Sequence, residues 1–368
     1  MSEAAFRVYF GTQAATAEDL RRIERIVVHQ ERDAIWQARI RMSLCLDAQG
    51  SWLHNARDIL APLSRIRIEL KVSDTFVPLI DGLVSGYDSG LDAQPGRSHV
   101  TVVVRDDSVM LHREDRSARY EQKTDREIVE EVFGRHRDVL DPSDEIGTLT
   151  GDSPRDAFQR DSDLVFLQQL GKAYNMHAYV LPTAQIGKSK AHFMGVPREA
   201  STDHPPLVLL GTGRNLSHAS IEEDSESPER SRTTTLRISD GQLVPYESTY
   251  SDAALMRELP PVPEDTSAIR NVAPADSDRE DPSTRARAQT ERRSYNVKLT
   301  GRVVPCYPAV LAPYLKVQVQ GANSVYSGDW VIHKVTHQIT PSVYVQEFVA
   351  KSNALSRTGA APALPRII

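Results

Sequence analysis

Between Trp36 and Leu46 the even positions are Trp36, Ala38, Ile40, Met42, Leu44 and Leu46, while the odd ones are Gln37, Arg39, Arg41, Ser43 and Cys45. Period-two alternation puts each set on its own face of an extended chain, so the stretch predicts a long strand with one face in a core and one in water. Ile66, Ile68, Leu70 and Val72 alternate with Arg67, Glu69 and Lys71 in the same way. Val100 to Val104 is a β-branched run, and Ile23 to Val28 is a weaker strand. Turn-rich clusters such as Gly86 to Gly96 separate these runs, which together predict an antiparallel sheet or barrel.

The period changes at Lys123. Thr124 and Glu127 have capping-box spacing, and Ile128, Val129, Val132 and Phe133 then recur at helical intervals. Asp141 and Pro142 mark the stop. A second helix fits Asp161 to Asn175, followed by a short strand from His177 to Leu181. Strand patterns return at Leu207 to Leu210 and at Thr233 to Val244, where Asp240-Gly241 suits a hairpin turn. Lys316 to Gln320, Trp330 to Ile339 and Val343 to Ala350 close the set. Pro260 to Arg293 is rich in Pro, Ser and charge, and predicts a linker or mobile loop. The pattern describes a β-rich α+β chain: a first β-domain over 1–115, an α/β insert with two helices over 116–200, and a second β-domain over 201–355. A mobile loop at about 256–293 interrupts the last of these, and a tail over 356–368 ends the chain.

Composition narrows the chemistry. The 368 residues carry 44 Lys and Arg against 50 Asp and Glu, a net charge of -6, so no global basic field draws nucleic acid. The apolar runs fall short of the roughly 18 residues that a bilayer crossing needs, and the start MSEAAFRVYFGTQ has no secretory pattern. Cys45 and Cys306 are too few for a disulfide framework or a four-ligand zinc site, and neither has an activating neighbour. Gly211-Thr212-Gly213 lacks the third glycine of a dinucleotide loop, because Leu216 stands there. Gly151-Asp152-Ser153 is followed by Pro154 and suits a turn better than a nucleophile. His333 and His337 lie on a predicted strand, about 13 Å apart at 3.3 Å per residue, too far to share a zinc. Asp161 and Asp163 sit where carboxylates serve a helix start. The expectation is a non-enzyme without cofactor or metal.

Two stretches resemble a known family. Phe158 to Val180 is similar to the helix-to-strand segment of contractile-tail hub proteins of the phage late control D and VgrG type, with Gln159, Arg160, Ser162, Asp163, Phe166 and Leu167 at matching places. The family's usual helix-ending Gly is replaced by Asn175-Met176, where Asn tolerates the left-handed turn. Tyr314 to Leu355 resembles the closing part of the hub's second barrel, through Gly321, Ser327, Gly328, Trp330, Val331, His337, Phe348 and Asn353. Gln346 replaces a usual Thr, at what the alternation takes for a surface strand position.

The resemblance implies two tube-type antiparallel β-barrel domains per chain. It implies a homotrimer in which six barrels form a pseudo-sixfold ring, an adaptor between a hexameric inner tube protein and a separate trimeric spike protein, with baseplate wedge components as further partners and no nucleic acid or membrane. Such a protein is assembled in the bacterial cytoplasm and then belongs to a virion or injection particle. Arg39 and Arg41, or Arg67, Glu69 and Lys71, would line a hydrated lumen, meet a neighbouring barrel, or face solvent. A baseplate-associated cell-wall hydrolase and a monomeric β-rich binding module are the alternatives.

Overall fold

The alternating runs become hydrogen-bonded ladders. In the computed structural model the described residues are 5–44, 49, 61–94, 96–211, 213–226, 229–237, 241–249, 259–260, 267–272, 282–305, 307–321 and 325–356. The first part contains β1 (Phe6–Phe10), β2 (Gln13–Ala14), α1 (Ala17–Arg22), β3 (Ile23–Glu31), β4 (Gln37–Ser43), β5 (Arg65–Val72), β6 (Thr75–Gly90) and β7 (His99–Asp106). The middle contains α2 (Ser108–His112), β8 (Ala118–Lys123), α3 (Asp125–Gly134), β9 (Glu145–Ile146), β10 (Arg155–Gln159), α4 (Asp163–Tyr174), β11 (His177–Pro182) and β12 (Ser189–Met194). The last part contains β13 (Leu207–Val208), β14 (Leu216–Glu223), β15 (Glu229–Arg237), β16 (Gln242–Ser248), β17 (Ala268–Asn271), α5 (Pro282–Arg293), β18 (Val297–Val303), β19 (Lys316–Gln320), β20 (Gly328–Ile339) and β21 (Tyr344–Ser352).

One sheet joins both β-rich parts. Its strands run β14-β18-β21-β20-β3-β4-β7-β6-β5-β1-β2, with β19 also paired to β20 and β13 to β19. The seam is the antiparallel pair β20–β3, in register from Lys334↔Glu31 to Ile339↔Ile26. Below the sheet lie separate cores. Ile26, Ala38, Ile40, Ile68 and Val102 fill the first, which also takes Tyr314 and Ile339 from the last part. Trp330, Phe348, Leu299 and Val317 fill another. The insert has its own, around Val132, Phe133, Leu167 and Phe193. Fully burying one such side chain is worth about 1.5–3 kcal/mol, so each cluster holds its own strands together.

Several expectations are corrected. The break in the Gly86 to Gly96 cluster comes later than expected: β6 runs on to Gly90, with a register shift between Val84 and Gly86 that lets the long strand bend, and the chain leaves the sheet only between Gly90 and His99. The second helix begins at Asp163 rather than Asp161, with Phe158 and Gln159 on β10 before it. The expected mobile loop ends in a helix, α5, which Pro282 opens from the first position, where its missing N–H is no loss. Its Ala286, Ala288 and Thr290 are buried, and the Thr290 hydroxyl donates to the Ser248 carbonyl at 3.2 Å. Tertiary packing therefore forms a helix that composition alone would leave in solution. Cys45, Cys306, most of 256–281 and the tail from 357 onward lie outside the described residues.

Candidate functional site

The first motif folds into the insert's core. The Thr124–Glu127 capping box forms in both directions, Glu127 N to Thr124 Oγ1 at 3.2 Å and Thr124 N to Glu127 Oε2 at 2.8 Å, and fixes the start of α3. That helix carries Arg135 and His136, just past its end, toward α4. Gln159 Nε2 donates to Asp163 Oδ1 at 2.6 Å, Arg135 Nη1 donates to the same oxygen at 3.1 Å, and His136 Nε2 reaches Oδ2 at 2.8 Å. Tyr120 Oη donates to Gln159 Oε1 at 2.7 Å while its ring stacks on Phe166, centroids 5.6 Å apart. Burial alone would raise the Asp163 carboxyl, but the hydrogen bonds from His136 and Gln159 and the Arg135 charge outweigh it and hold it below the usual carboxylate range. Asp163 is thus the centre of a buried network rather than a cap, and the N-cap Ser162 turns its hydroxyl to His112 Nδ1 at 2.9 Å. Leu167 is fully buried and Arg160 is exposed. Asn175 takes the left-handed conformation that ends the helix, with φ 54° and ψ 34°.

The second motif supports the last core and the seam. Trp330 and Phe348 are buried, and Trp330 Nε1 donates to the Tyr326 carbonyl at 3.0 Å. Gly321 turns at φ +74° against Leu210, whose carbonyl oxygen would lie 2.8 Å from an added Cβ. Gly328 opens β20 at φ +130°. The Ser327 carbonyl accepts from the Ser356 hydroxyl at 2.6 Å, and Asn353 Nδ2 donates to Ser294 Oγ at 3.1 Å. Val331 is buried on β20. His337 is fully buried at the seam, between Tyr344 Oη at 2.8 Å and Gln30 Oε1 at 3.1 Å. Gln346 is buried, not on the surface. Its Oε1 accepts from Leu311 N at 2.8 Å and its Nε2 donates to Ala309 O at 2.9 Å, which anchors the segment before β19.

Arg67 and Glu69 are corrected most strongly. Neither faces solvent or a lumen, because the β11–β12 turn covers them. Arg67 Nε donates to Glu69 Oε1 at 2.7 Å, and its Nη1 donates to Asp81 Oδ2 at 3.1 Å and to the Thr183 carbonyl at 2.7 Å. Gly187 N donates to Asp81 Oδ2 at 2.9 Å, and Ser189 Oγ to Asp107 Oδ2 at 2.7 Å. A second polar junction joins all parts of the chain. Arg32 donates to His177 Nε2 at 2.6 Å, so Nδ1 carries the ring proton and gives it to Asp33 at 2.8 Å. Tyr314 Oη accepts from Asp33 N at 2.8 Å, and its ring stacks on Tyr179 with centroids 3.7 Å apart. Arg292, near the end of α5, donates to the Met176 carbonyl at 2.9 Å. Burial and the Arg32 charge push the His177 imidazole below its ordinary range, so it stays neutral.

Chemically these clusters brace modules against one another. The cleft lined by Arg126, Glu130, Arg137 and Asp144 has its charges satisfied, by Arg126–Glu130 at 3.0 Å and Arg137–Asp144 at 2.6 Å. Asp106 has its carboxyl raised to about 7 by burial, yet it is wholly enclosed, accepting from Trp36 N at 3.0 Å. Among the described residues no group of three or more His, Cys, Asp or Glu is placed to hold a metal ion, and no helix is long and apolar enough to cross a membrane.

No protein-family profile and no curated relative matches the sequence. Solved structures do match. The tail protein from Neisseria meningitidis MC58 superposes with a TM-score of 0.62 at 11% identity, over 96% of this chain and 97% of its own. The 43 kDa tail protein of prophage MuSo2 from Shewanella oneidensis gives 0.59 at 13% identity, over 95% and 97%. An E. coli component of the type VI secretion system, described as structurally similar to T4 bacteriophage tail proteins, gives 0.56 at 14% identity, over 90% and 73%. The fold is that of phage tail proteins. At these identities it is the fold that is shared, and it extends across both β-rich parts and the insert between them.

Proposed function

We propose that this chain is a structural hub of a contractile tail or injection-system baseplate, a homotrimer whose two tube-type β-domains per subunit build a pseudo-sixfold ring between an inner tube and a separate spike. The observation that carries the proposal is the end-to-end correspondence with tail proteins, including both β-rich parts. The shared sheet supports it mechanically. A seam of backbone hydrogen bonds, with His337 and Gln30 buried in it, fixes the two halves at one angle, as a ring built from repeated modules requires. The chemistry is that of positioning, and no catalytic role is assigned to any residue.

The test is co-expression with candidate inner-tube and spike proteins from the same genome, followed by native mass measurement and imaging. The chain should be recovered at close to three copies of its 41.0 kDa mass, seated between tube and spike. A complex with one copy per spike, or a particle carrying it away from the tube's tip, would refute the proposal.

A further inference from the structure

Four arginines crowd one face of three neighbouring strands. Ile26, Ile40 and Val102 point into the core, so Arg25 on β3, Arg39 and Arg41 on β4, and Arg105 on β7 share the opposite, exposed face. Arg25 stands directly across from Arg41 in the ladder, and Arg105 across from Gln37 beside Arg39. Like charges directly opposite each other destabilise a sheet. Local bonds offset this only in part. Arg41 Nε donates to Glu24 Oε2 at 2.7 Å and Arg25 to Gln338 Oε1 at 2.7 Å, whereas the side chains of Arg39 and Arg105 make no hydrogen bond or ion pair to any described residue. His29, next along the face, has its pKa lowered by burial first and then by Lys334, Arg39 and Arg25, against an opposing effect of Glu31.

We propose that this arginine patch is a docking site for an acidic segment of polypeptide, whose carboxylates pair with Arg39 and Arg105. The chain is acidic overall at -6, so a local cationic patch on it is a specific feature and not a general surface property. What lies between the arginines selects the partner. Val27 and Val103 flank Arg39 in one cross-strand row, both half-buried. A polypeptide can place a carboxylate over each arginine and an apolar side chain over each valine. Side chains on one face of an extended chain recur about every 6.6–7 Å, close to the roughly 7–8 Å diagonal between Arg39 on β4 and Arg105, two residues along β7 from Arg39's own partner Val103. A nucleic acid backbone gains nothing from the valines.

The inference concerns a surface of the single chain and does not depend on trimer assembly. It is tested by fluorescence anisotropy of labelled poly-glutamate titrated with the full chain, against a labelled DNA duplex. Poly-glutamate should bind at low ionic strength and be released at about 1 M salt, where the screening length is about 3 Å. The variant R39Q/R105Q, which breaks no observed bond, should bind about tenfold more weakly, as expected from losing two exposed ion pairs. It should melt no lower than the unmodified chain, because repulsion has been removed. K71Q/R160Q, with the same change of net charge elsewhere, should bind as the unmodified chain does. Unchanged binding by R39Q/R105Q, absence of salt-sensitive binding, or tighter binding of the duplex than of poly-glutamate would each overturn the proposal.

Discussion

Acid should loosen the seam through one histidine. Gln30 Nε2 donates to the Leu79 carbonyl at 2.7 Å, which fixes the amide so that its Oε1 faces His337. The imidazole must therefore carry its proton on Nε2, and Nδ1 accepts from the Tyr344 hydroxyl. A second proton would evict that hydroxyl hydrogen and charge a ring with no exposed surface. Burial, with a small contribution from His29, pushes the imidazole down to about 3. The unfolded chain protonates the same ring near 6.5. The sign follows: above about 6.5 both states are neutral and stability is complete, and as pH falls the unfolded state gains the proton that the native state refuses. Each pH unit in that window costs about 1.4 kcal/mol, so the contribution lost between pH 7 and pH 5 is about 2 kcal/mol.

The measurement is equilibrium urea denaturation followed by tryptophan fluorescence, since Trp36 and Trp330 are both buried. His337→Gln keeps a donor and an acceptor but removes the titration. At pH 7 the variant should be less stable by roughly 1–3 kcal/mol, because its hydrogen bonds are imperfect. At pH 5 that gap should close by about 2 kcal/mol, while the other histidines contribute equally to both proteins and cancel. A gap unchanged between the two pH values would show that His337 titrates normally in the folded chain, and the enclosed seam would be wrong.

Arg67→Met should cost on the order of 3–5 kcal/mol in the same assay, because Asp81 and Glu69 lose a buried partner; a loss below about 1 kcal/mol would mean that water reaches the network. Gly171→Ala places a Cβ 2.6 Å from the Met176 carbonyl oxygen, so a loss of about 1–3 kcal/mol is expected from overpacking at the end of α4, and no measurable loss would refute that packing. At the left-handed corner, Asn175→Gly should be tolerated while Asn175→Ala loses about 1 kcal/mol, and equal stabilities would remove the corner's strain from the account. Trypsin should spare Arg285, Arg287 and Arg292 in α5 under native conditions, and rapid cleavage there would restore the mobile-loop expectation.

Legibility in the sequence depended on whether one strand or helix contained the whole signal. The alternation of Ala38, Ile40 and Met42 marks a core face wherever the strand pairs, and those residues are buried. The Thr124 capping box and the Asn175 corner are equally local. Arg67 and Glu69 show the opposite case. On β5 they are indistinguishable from the exposed Arg39 and Arg41 on β4, and only the β11–β12 turn, more than a hundred residues away, turns their face into an interior. Gln346 misled in the same way, since its partners Leu311 and Ala309 come from another segment. α5 was hidden by its charge. Ala286, Ala288 and Thr290 were the available sign, but small residues look like linker composition unless a sheet is known to lie against them.

The motif residues that carried the resemblance lie mostly in the interior. Apart from exposed Arg160 and the two turn glycines, all of them are buried in the insert's core, the last core or the seam. That placement accounts for a chain-long fold match at 11% identity: packing and buried hydrogen bonds restrict a few interior positions, while exposed ones change freely. It also separates two questions that a motif tends to merge. Substitutions at Asp163, Trp330 or His337 act on whether the chain folds, and a loss of assembly caused by them says nothing about partners. On the docking proposal above, partner choice resides in exposed side chains such as Arg39 and Arg105, whose removal leaves the cores intact. Variants of those two classes should therefore separate in a single pair of measurements, the first lowering stability and binding together and the second lowering binding alone.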